Sequence, residues 1–485
     1  MRLDRRRRVI TLVVAAVLGL TTIPGAAPGQ ADVRAAGTAA QPVHPLVLEA
    51  AIQARESFGL ASDPALVESL LSGSADVGSA EWGFPTTADE AQELDLHGRA
   101  RFVQDLEPTV LPFVRALPTF GGVWIDQREG GSLVVMLTRL ESDVIAAIDG
   151  LMPEGSLGWR AELAQVEHAK LLDAFDRIRV VWLAMQSATV PTAVSVDERH
   201  SRLVVDVTPE RFEAAQGELT SIEQELGVPV ALSARQLGQD LACTGRRACH
   251  DPLKAGVQID KGYWGTGTYR CSMGFHIWVP DTSPNSNPNT QFLTAGHCGY
   301  AGSNDWHHGG VGTDDQIGRE KATLFDDSYA RDIMRVSVMG GVAGDEMSIF
   351  IYGEDSEMYL TGASNPVQGE VLCMSLGVSN YVGCGQVASA DQSWLSETSI
   401  PHRTVHGASI DTFGAGGGFT SIGGDSGSPI YRRLGWDPWE GLYGYVPVGI
   451  LDHERYLDGS YGGHDIYFAK VKKALSIWDA EIYPP

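Results

Sequence analysis

The chain has 485 residues and a formal net charge of −25, with 43% hydrophobic and 20% charged residues. That balance is globular rather than disordered, and the length suits about two or three domains. The negative field argues against nucleic acid and anionic membrane surfaces as partners, since both repel it; otherwise it reads as a solvated acidic surface.

In chain order, Arg5 to Arg8 precede an apolar run over residues 9–20, then Pro24 and small residues. This is the layout of a secretory signal, and the run is short of the roughly 20 residues a membrane span needs. It predicts a signal peptide over residues 1–31, cut after Ala31, a secreted chain, and no membrane contact afterwards. Residues 32–44 read as a flexible leader. Helical spacing follows at 46–52 and 65–71, and over 94–117 in two pieces broken by Pro108 and Pro112.

A strand–turn–strand pattern then occurs twice, at 121–138 and 193–208, each followed by a helical pattern, 141–151 and 209–226. This predicts two related α+β units, about seventy residues apart. The first half has no cysteine; Cys243, Cys249, Cys271, Cys298, Cys373 and Cys384 all come later. An even count in an exported chain predicts disulfides, and the absence of CxxC spacing argues against zinc. Polar residues around 233–252 read as a linker; Arg246-Arg247 within it offers a processing point, though a basic pair is more often solvated surface.

From Ala255 the pattern changes to short strands and glycine-rich turns, consistent with antiparallel β-barrels. The most informative stretch is Gly423-Gly424-Asp425-Ser426-Gly427-Ser428-Pro429. A serine between glycines predicts a tight turn that exposes one hydroxyl. The amides of Gly424 and Ser426 are the candidate oxyanion hole. A serine nucleophile needs a base and a group to orient it. Thr294-Ala295-Gly296-His297-Cys298 offers His297 as the base. Arg331-Asp332-Ile333 offers Asp332 as the orienting carboxylate, favoured over Asp326 and Asp327 by the apolar Ile333-Met334 that follows. His307-His308 sits in a glycine-rich loop, and a loop role is preferred there over a metal site.

The order His297, Asp332, Ser426 is that of the chymotrypsin type. Together the motifs resemble the chymotrypsin-like serine proteases of the trypsin superfamily, in the secreted bacterial branch of streptogrisins and α-lytic protease. The resemblance covers about residues 252–485 and implies two six-stranded antiparallel β-barrels with a C-terminal helix at 468–478. It also implies a serine endopeptidase that needs no metal or organic cofactor and acts as a monomer on protein or peptide substrates.

The first half resembles that family's pro-regions, which assist folding and then occupy the cleft. The expected organisation is therefore an α+β pro-region over 32–244, acting as the protease's own inhibitor, and an all-β protease domain over 245–485. The resemblance implies disulfides Cys271–Cys298 and Cys373–Cys384, with Cys243–Cys249 left open as a third. A bridge between Cys271 and Cys298 would contribute about 3 kcal/mol in the chain-entropy model.

Some family members carry arginine after the first cysteine of the hairpin, to pair with the carboxylate before the nucleophile. Here Met374 stands there, so what holds Asp425 is open. The resemblance assigns substrate contacts to Thr420, Leu451, Asp452 and His453. Relatives have serine and glycine where Asp452 and Glu454 fall; these carboxylates either attract basic side chains or point to solvent. His453 invites a glutamyl-specific pocket, but its register is wrong, and no specificity follows. An α/β-hydrolase order, Ser426, Asp452, His464, also exists, but position 428 is serine where the elbow needs glycine. The alternative from another class is an inactive homologue serving as a secreted binding module.

Overall fold

The computed structural model describes residues 43, 45–72, 82, 84–184, 193–207, 211–234, 255–262, 268–280, 289–299, 304–308, 316–325, 331–338, 351, 358–360, 362–379, 381–396, 403–412, 424–437, 442–456 and 464–482. The signal and leader, Arg246-Arg247, Cys243, Cys249, Asp326, Asp327 and Thr420 lie outside these residues. The described chain is mostly β-sheet with a few helices. Among the described residues, no helix is long and apolar enough to cross a membrane.

The N-terminal part opens with α1 (Pro45–Ser57), α2 (Pro64–Leu71), α3 (Ala88–Leu94), α4 (Leu96–Leu106) and α5 (Val110–Arg115). The stretch at 94–117 holds two helices, α4 and α5, as its pattern predicts, with Pro108 between them; α3, just before it, is not among the predicted elements. Asp95, at φ 40°, is left-handed and ends α3, and its carboxylate accepts the Gly98 amide and so starts α4. Pro112 breaks nothing, because it falls in the first turn of α5, where a missing N–H costs no helical bond.

Next, β1 (Phe120–Asp126) and β2 (Ser132–Leu137) pair antiparallel, α6 (Ser142–Asp149) crosses over, and β3 (Trp159–Leu163) returns parallel to β2. After α7 (His168–Ala184) the order recurs. β4 (Ala193–Asp197) and β5 (Arg202–Val207) pair antiparallel, α8 (Phe212–Leu226) crosses over, and β6 (Val230–Ala234) returns parallel to β5. Alternation buries Val123, Ile125, Leu133, Val135 and Leu137 together in the first unit. In the second, Val194, Val196, Leu203 and Val205 pack on Leu171 and Ile178 of α7 and Ile222 of α8.

The remaining strands are β7 (Gln258–Gly262), β8 (Thr268–Ser272), β9 (His276–Val279), β10 (Asn289–Thr294), β11 (Asp305–His307), β12 (Gln316–Thr323), β13 (Met334–Val338), β14 (Met358–Leu360), β15 (Val371–Leu376), β16 (Tyr381–Ser396), β17 (Arg403–Thr412), β18 (Pro429–Asp437), β19 (Leu442–Tyr456), β20 (His464–Lys470) and β21 (Glu481–Ile482). One antiparallel sheet runs β21-β9-β10-β13-β12-β11-β7-β8. In the other, β15-β18-β19-β20-β17-β16 pair in that order and β16 also pairs with β15. The C-terminal helix α9 (Val471–Trp478) starts later than its apolar spacing predicts, because β20 holds the chain up to Lys470.

The N-terminal part is built into this second sheet. β4 adds antiparallel to β16, with Ser195 opposite Gln392, Val194 opposite Ser393 and Ala193 opposite Trp394. The Ile125 amide donates to the Gln368 carbonyl at 2.8 Å. Arg432, fully buried, forks onto Glu370 at 2.7 and 3.0 Å and reaches Gln104 of α4 at 2.7 Å. Trp82, Phe84, Leu94 and Leu96 share one core with Tyr431 and Tyr445. Burying such surface is what makes the joint cohesive.

Candidate active site

β10 ends at Thr294, and the chain tightens into the turn Gly296–Gly299, which carries His297. A side chain at Gly296 would put a Cβ 2.6 Å from that of Phe325 and 2.9 Å from Asp332 Oδ1, so the close approach demands glycine. A disulfide from Cys298 to Cys271 ties the turn to β8. Asp332 comes close because β13, which it precedes, pairs with β10, Met334 opposite Thr294.

The Asp332 carboxylate then does two things at once. Oδ1 accepts the His297 backbone amide at 2.6 Å, and Oδ2 accepts from ring Nδ1. With Nδ1 protonated and donating to the Asp332 carboxylate, Nε2 keeps the lone pair that a base needs. Burial pushes the Asp332 carboxyl up, but the His297 charge and hydrogen bonds from Asp452 and His297 outweigh it and hold it below the ordinary carboxylate range.

Ser426 lies in the turn between Gly424, at φ 106°, and Gly427, at φ 98°. Both glycines occupy the left-handed region, and a Cβ at 427 would lie 2.1 Å from the Ser272 carbonyl. The end of β8 clamps this turn: the Ser272 amide donates to the Ser426 carbonyl at 2.7 Å and its hydroxyl to the Gly424 carbonyl at 3.0 Å. β19 clamps it from another side, since the Gly427 amide donates to the Leu451 carbonyl at 2.7 Å.

Asp425, next to Ser426, is fully buried. Its carboxylate accepts the Val378 amide at 2.7 Å, the Ser379 amide at 2.9 Å and the Ser379 hydroxyl. These donors sit at the tip between β15 and β16, strands bridged by Cys373–Cys384. Met374, by contrast, packs in the apolar core. Sequence reasoning missed Val378 and Ser379; the signal available was a short tip between bridged strands, where amides lack strand partners.

The residues assigned to substrate contact fall in different places. Leu451 is core. The His453 ring lies parallel to Tyr467, 6.4 Å away. Asp452 is 3% exposed and turns inward rather than to solvent. Its Oδ1 lies 3.2 Å from His297 Nδ1, its carboxyl comes within 4.8 Å of that of Asp332, and its Oδ2 accepts the Trp394 indole N–H at 2.5 Å. Its backbone carbonyl accepts the Ser426 hydroxyl at 3.0 Å. Asp452 therefore touches both His297 and Ser426. Burial first, and then the charge of Asp332, push its carboxyl well above the ordinary range, with His297 opposing only in part. Trp394, which sets one face of this group, carried no signal in the sequence.

His308 Nδ1 bonds the Gln258 carbonyl at 2.9 Å. The ligand atoms of His297, Asp332 and Asp452 lie within 4.8 Å of one another, as do those of His168, Glu198 and Asp391. In both trios the histidine already bonds a carboxylate, His297 to Asp332 and His168 Nε2 to Glu198 at 3.1 Å.

No protein-family model matches the chain, and no curated protein matches it. Among solved structures it is similar to a glutamic-acid-specific serine protease that uses a histidine triad in substrate binding, at 22% identity over 48% of this chain and 100% of that one, TM-score 0.34. It is also similar to Nocardiopsis protease, at 17% identity over 47% and 97%, TM-score 0.34. A Cellulomonas bogoriensis chymotrypsin aligns at 16% identity over 48% and 98%, TM-score 0.32.

Proposed function

We propose that the chain is a secreted, disulfide-bonded serine endopeptidase, made as a zymogen with its pro-region at the N-terminal side. The observation that carries this is the buried Asp332 locking the Nδ1 edge of His297, in contact through Asp452 with the Ser426 hydroxyl. In catalysis, Ser426 Oγ turns from the Asp452 carbonyl toward Nε2 of His297, gives up its proton and attacks the peptide carbonyl. The tetrahedral oxyanion takes the amides of Gly424 and Ser426. The C–N bond then breaks, the amine leaves with the proton from Nε2, and an ester remains on Ser426. Water, deprotonated by His297, releases the acid and restores the hydroxyl. Asp332 keeps the ring in the tautomer that both steps need.

In this reading the two large antiparallel sheets form the two barrels of a chymotrypsin-type domain over 245–485, though the first has eight strands among the described residues rather than the expected six, and the substrate strand lies along β19. Residues 32–244 are the pro-region, and its β4 supports β16, the strand that supplies Trp394. A fluorophosphonate probe on the secreted chain tests the enzyme reading. Labelling that disappears in Ser426→Ala is expected; no labelling, even after the first half is removed, would leave a binding module. N-terminal sequencing of the secreted form tests the zymogen reading, which expects a start near residue 245 and fails if the chain keeps a start near residue 32.

A further inference from the structure

His297 faces two carboxyls rather than one. Asp332 accepts the Nδ1 proton, and Asp452 Oδ1 lies 3.2 Å from the same nitrogen. The ligand atoms of the two carboxyls and of the imidazole all lie within 4.8 Å of one another. Two carboxylates have only acceptors, so a direct contact between them needs a proton on one of them. Asp332 is 0% exposed and Asp452 3% exposed, and like charges at such range out of water do not both ionise.

The donors decide which carboxyl keeps the proton. Asp332 accepts two N–H groups of His297, one from the backbone and one from the ring, and both favour its charged form. Asp452 accepts one neutral indole N–H, from Trp394, which a carbonyl oxygen of a neutral acid satisfies equally. Lys470 pairs with Asp391, and Arg331 feels the charge of Asp391. His453 on the same strand lies over Tyr467, and Tyr467 stacks on Trp394.

We propose that Asp452 is a positioning residue for the base: a neutral carboxylic acid that donates its proton to Asp332, braces that carboxylate against His297, and is itself fixed by Trp394. The inference rests on His297 acting as the base of Ser426. The buried group then carries a single negative charge at rest and becomes neutral when His297 takes the serine proton. A group with both carboxyls ionised would carry twice the charge and hold the imidazolium far more tightly, which would blunt its return of the proton to the leaving amine.

The test uses the full chain with substitutions at 452 that separate a proton donor from a charge, read by the rate of fluorophosphonate labelling across the range where imidazole titrates. Asp452→Leu, with no donor, is expected to slow labelling by about tenfold or more. Asp452→Asn, which offers an N–H to Asp332 and an oxygen to Trp394, is expected to recover all but about threefold of that loss, with the acid limb of the profile unmoved. An Asn variant as slow as the Leu variant, or one whose acid limb falls by about a unit, means that Asp452 is ionised and overturns the proposal. Wild-type rates in the Leu variant overturn it too.

Carboxyl-carbon NMR of the aspartate-labelled wild-type chain supplies an arm that survives misfolding of either variant. One aspartic resonance held at its protonated position through neutral pH is expected; ordinary titration of every aspartate overturns the proposal. If wild type and Ser426→Ala both fail to label, the enzyme reading has failed, and the NMR result alone decides the state of Asp452.

Discussion

The turn that carries His297 and the turn that carries Ser426 each rest on a buried aspartate, but the two aspartates meet different kinds of donor. Asp332 faces an imidazole and a second carboxyl, groups whose charge changes with pH. Asp425 faces two backbone amides and a hydroxyl, donors that do not titrate near neutrality. In the proposed mechanism the histidine side handles the proton, and the serine side is a fixed mount. The division suits a reaction in which the base must change charge while the nucleophile's backbone stays still.

The sharpest way to break this contrast is at Asp332. Asp332→Asn leaves the shape but removes the carboxylate that orients the ring, and acylation of Ser426 by an ester substrate is expected to fall by about 10⁴-fold, the loss known for the equivalent change in a chymotrypsin-type triad. A loss below about tenfold would mean that the ring is oriented by something else. Asp425→Ala acts on the mount. It leaves buried amides unpaired and is expected to cost about 1–3 kcal/mol in urea unfolding; an unchanged midpoint would count against the mount. Ser379→Ala removes one donor of the three, for about 1 kcal/mol, and should weaken the turn less than the loss of Asp425 does.

The contrast also predicts a difference in pH dependence. The Asp332 carboxyl is held lower in the folded chain than in the unfolded one. Its contribution to stability is present above the ordinary carboxylate value and is lost as pH falls through the lowered one. Acid unfolding of Asp332→Asn should show a shallower slope than wild type in that window. Equal slopes in wild type and Asp332→Asn would contradict the assignment.

What the sequence made legible was local. The glycines at 424 and 427 flag a turn because φ is positive at both. The two strand–turn–strand patterns stand out because alternation buries one face of each hairpin. What stayed hidden was tertiary. Val378 reaches Asp425 across 47 residues, and Trp394 reaches Asp452 across 58. Those meetings are set by how β15, β16 and β19 are placed in one sheet, and no local periodicity encodes that order. Asp452 was visible as an odd carboxylate after the apolar run at 446–451, but its inward turn depends on partners from three other segments. For the same reason the hairpin of β4 and β5 was legible and its docking on β16 was not. The helix at 88–94 was not among the predicted elements; Asp95 ends it and caps the next.

The most direct test is to trap the acyl group. Mixing the secreted chain with a slowly released acylating ester at low pH, then digesting it and weighing the fragments, should find one acyl group on the fragment that holds Ser426 and none in Ser426→Ala or His297→Ala. A chain that takes up no acyl group, or carries it on another residue, would contradict the assignment of Ser426 as a nucleophile activated by His297.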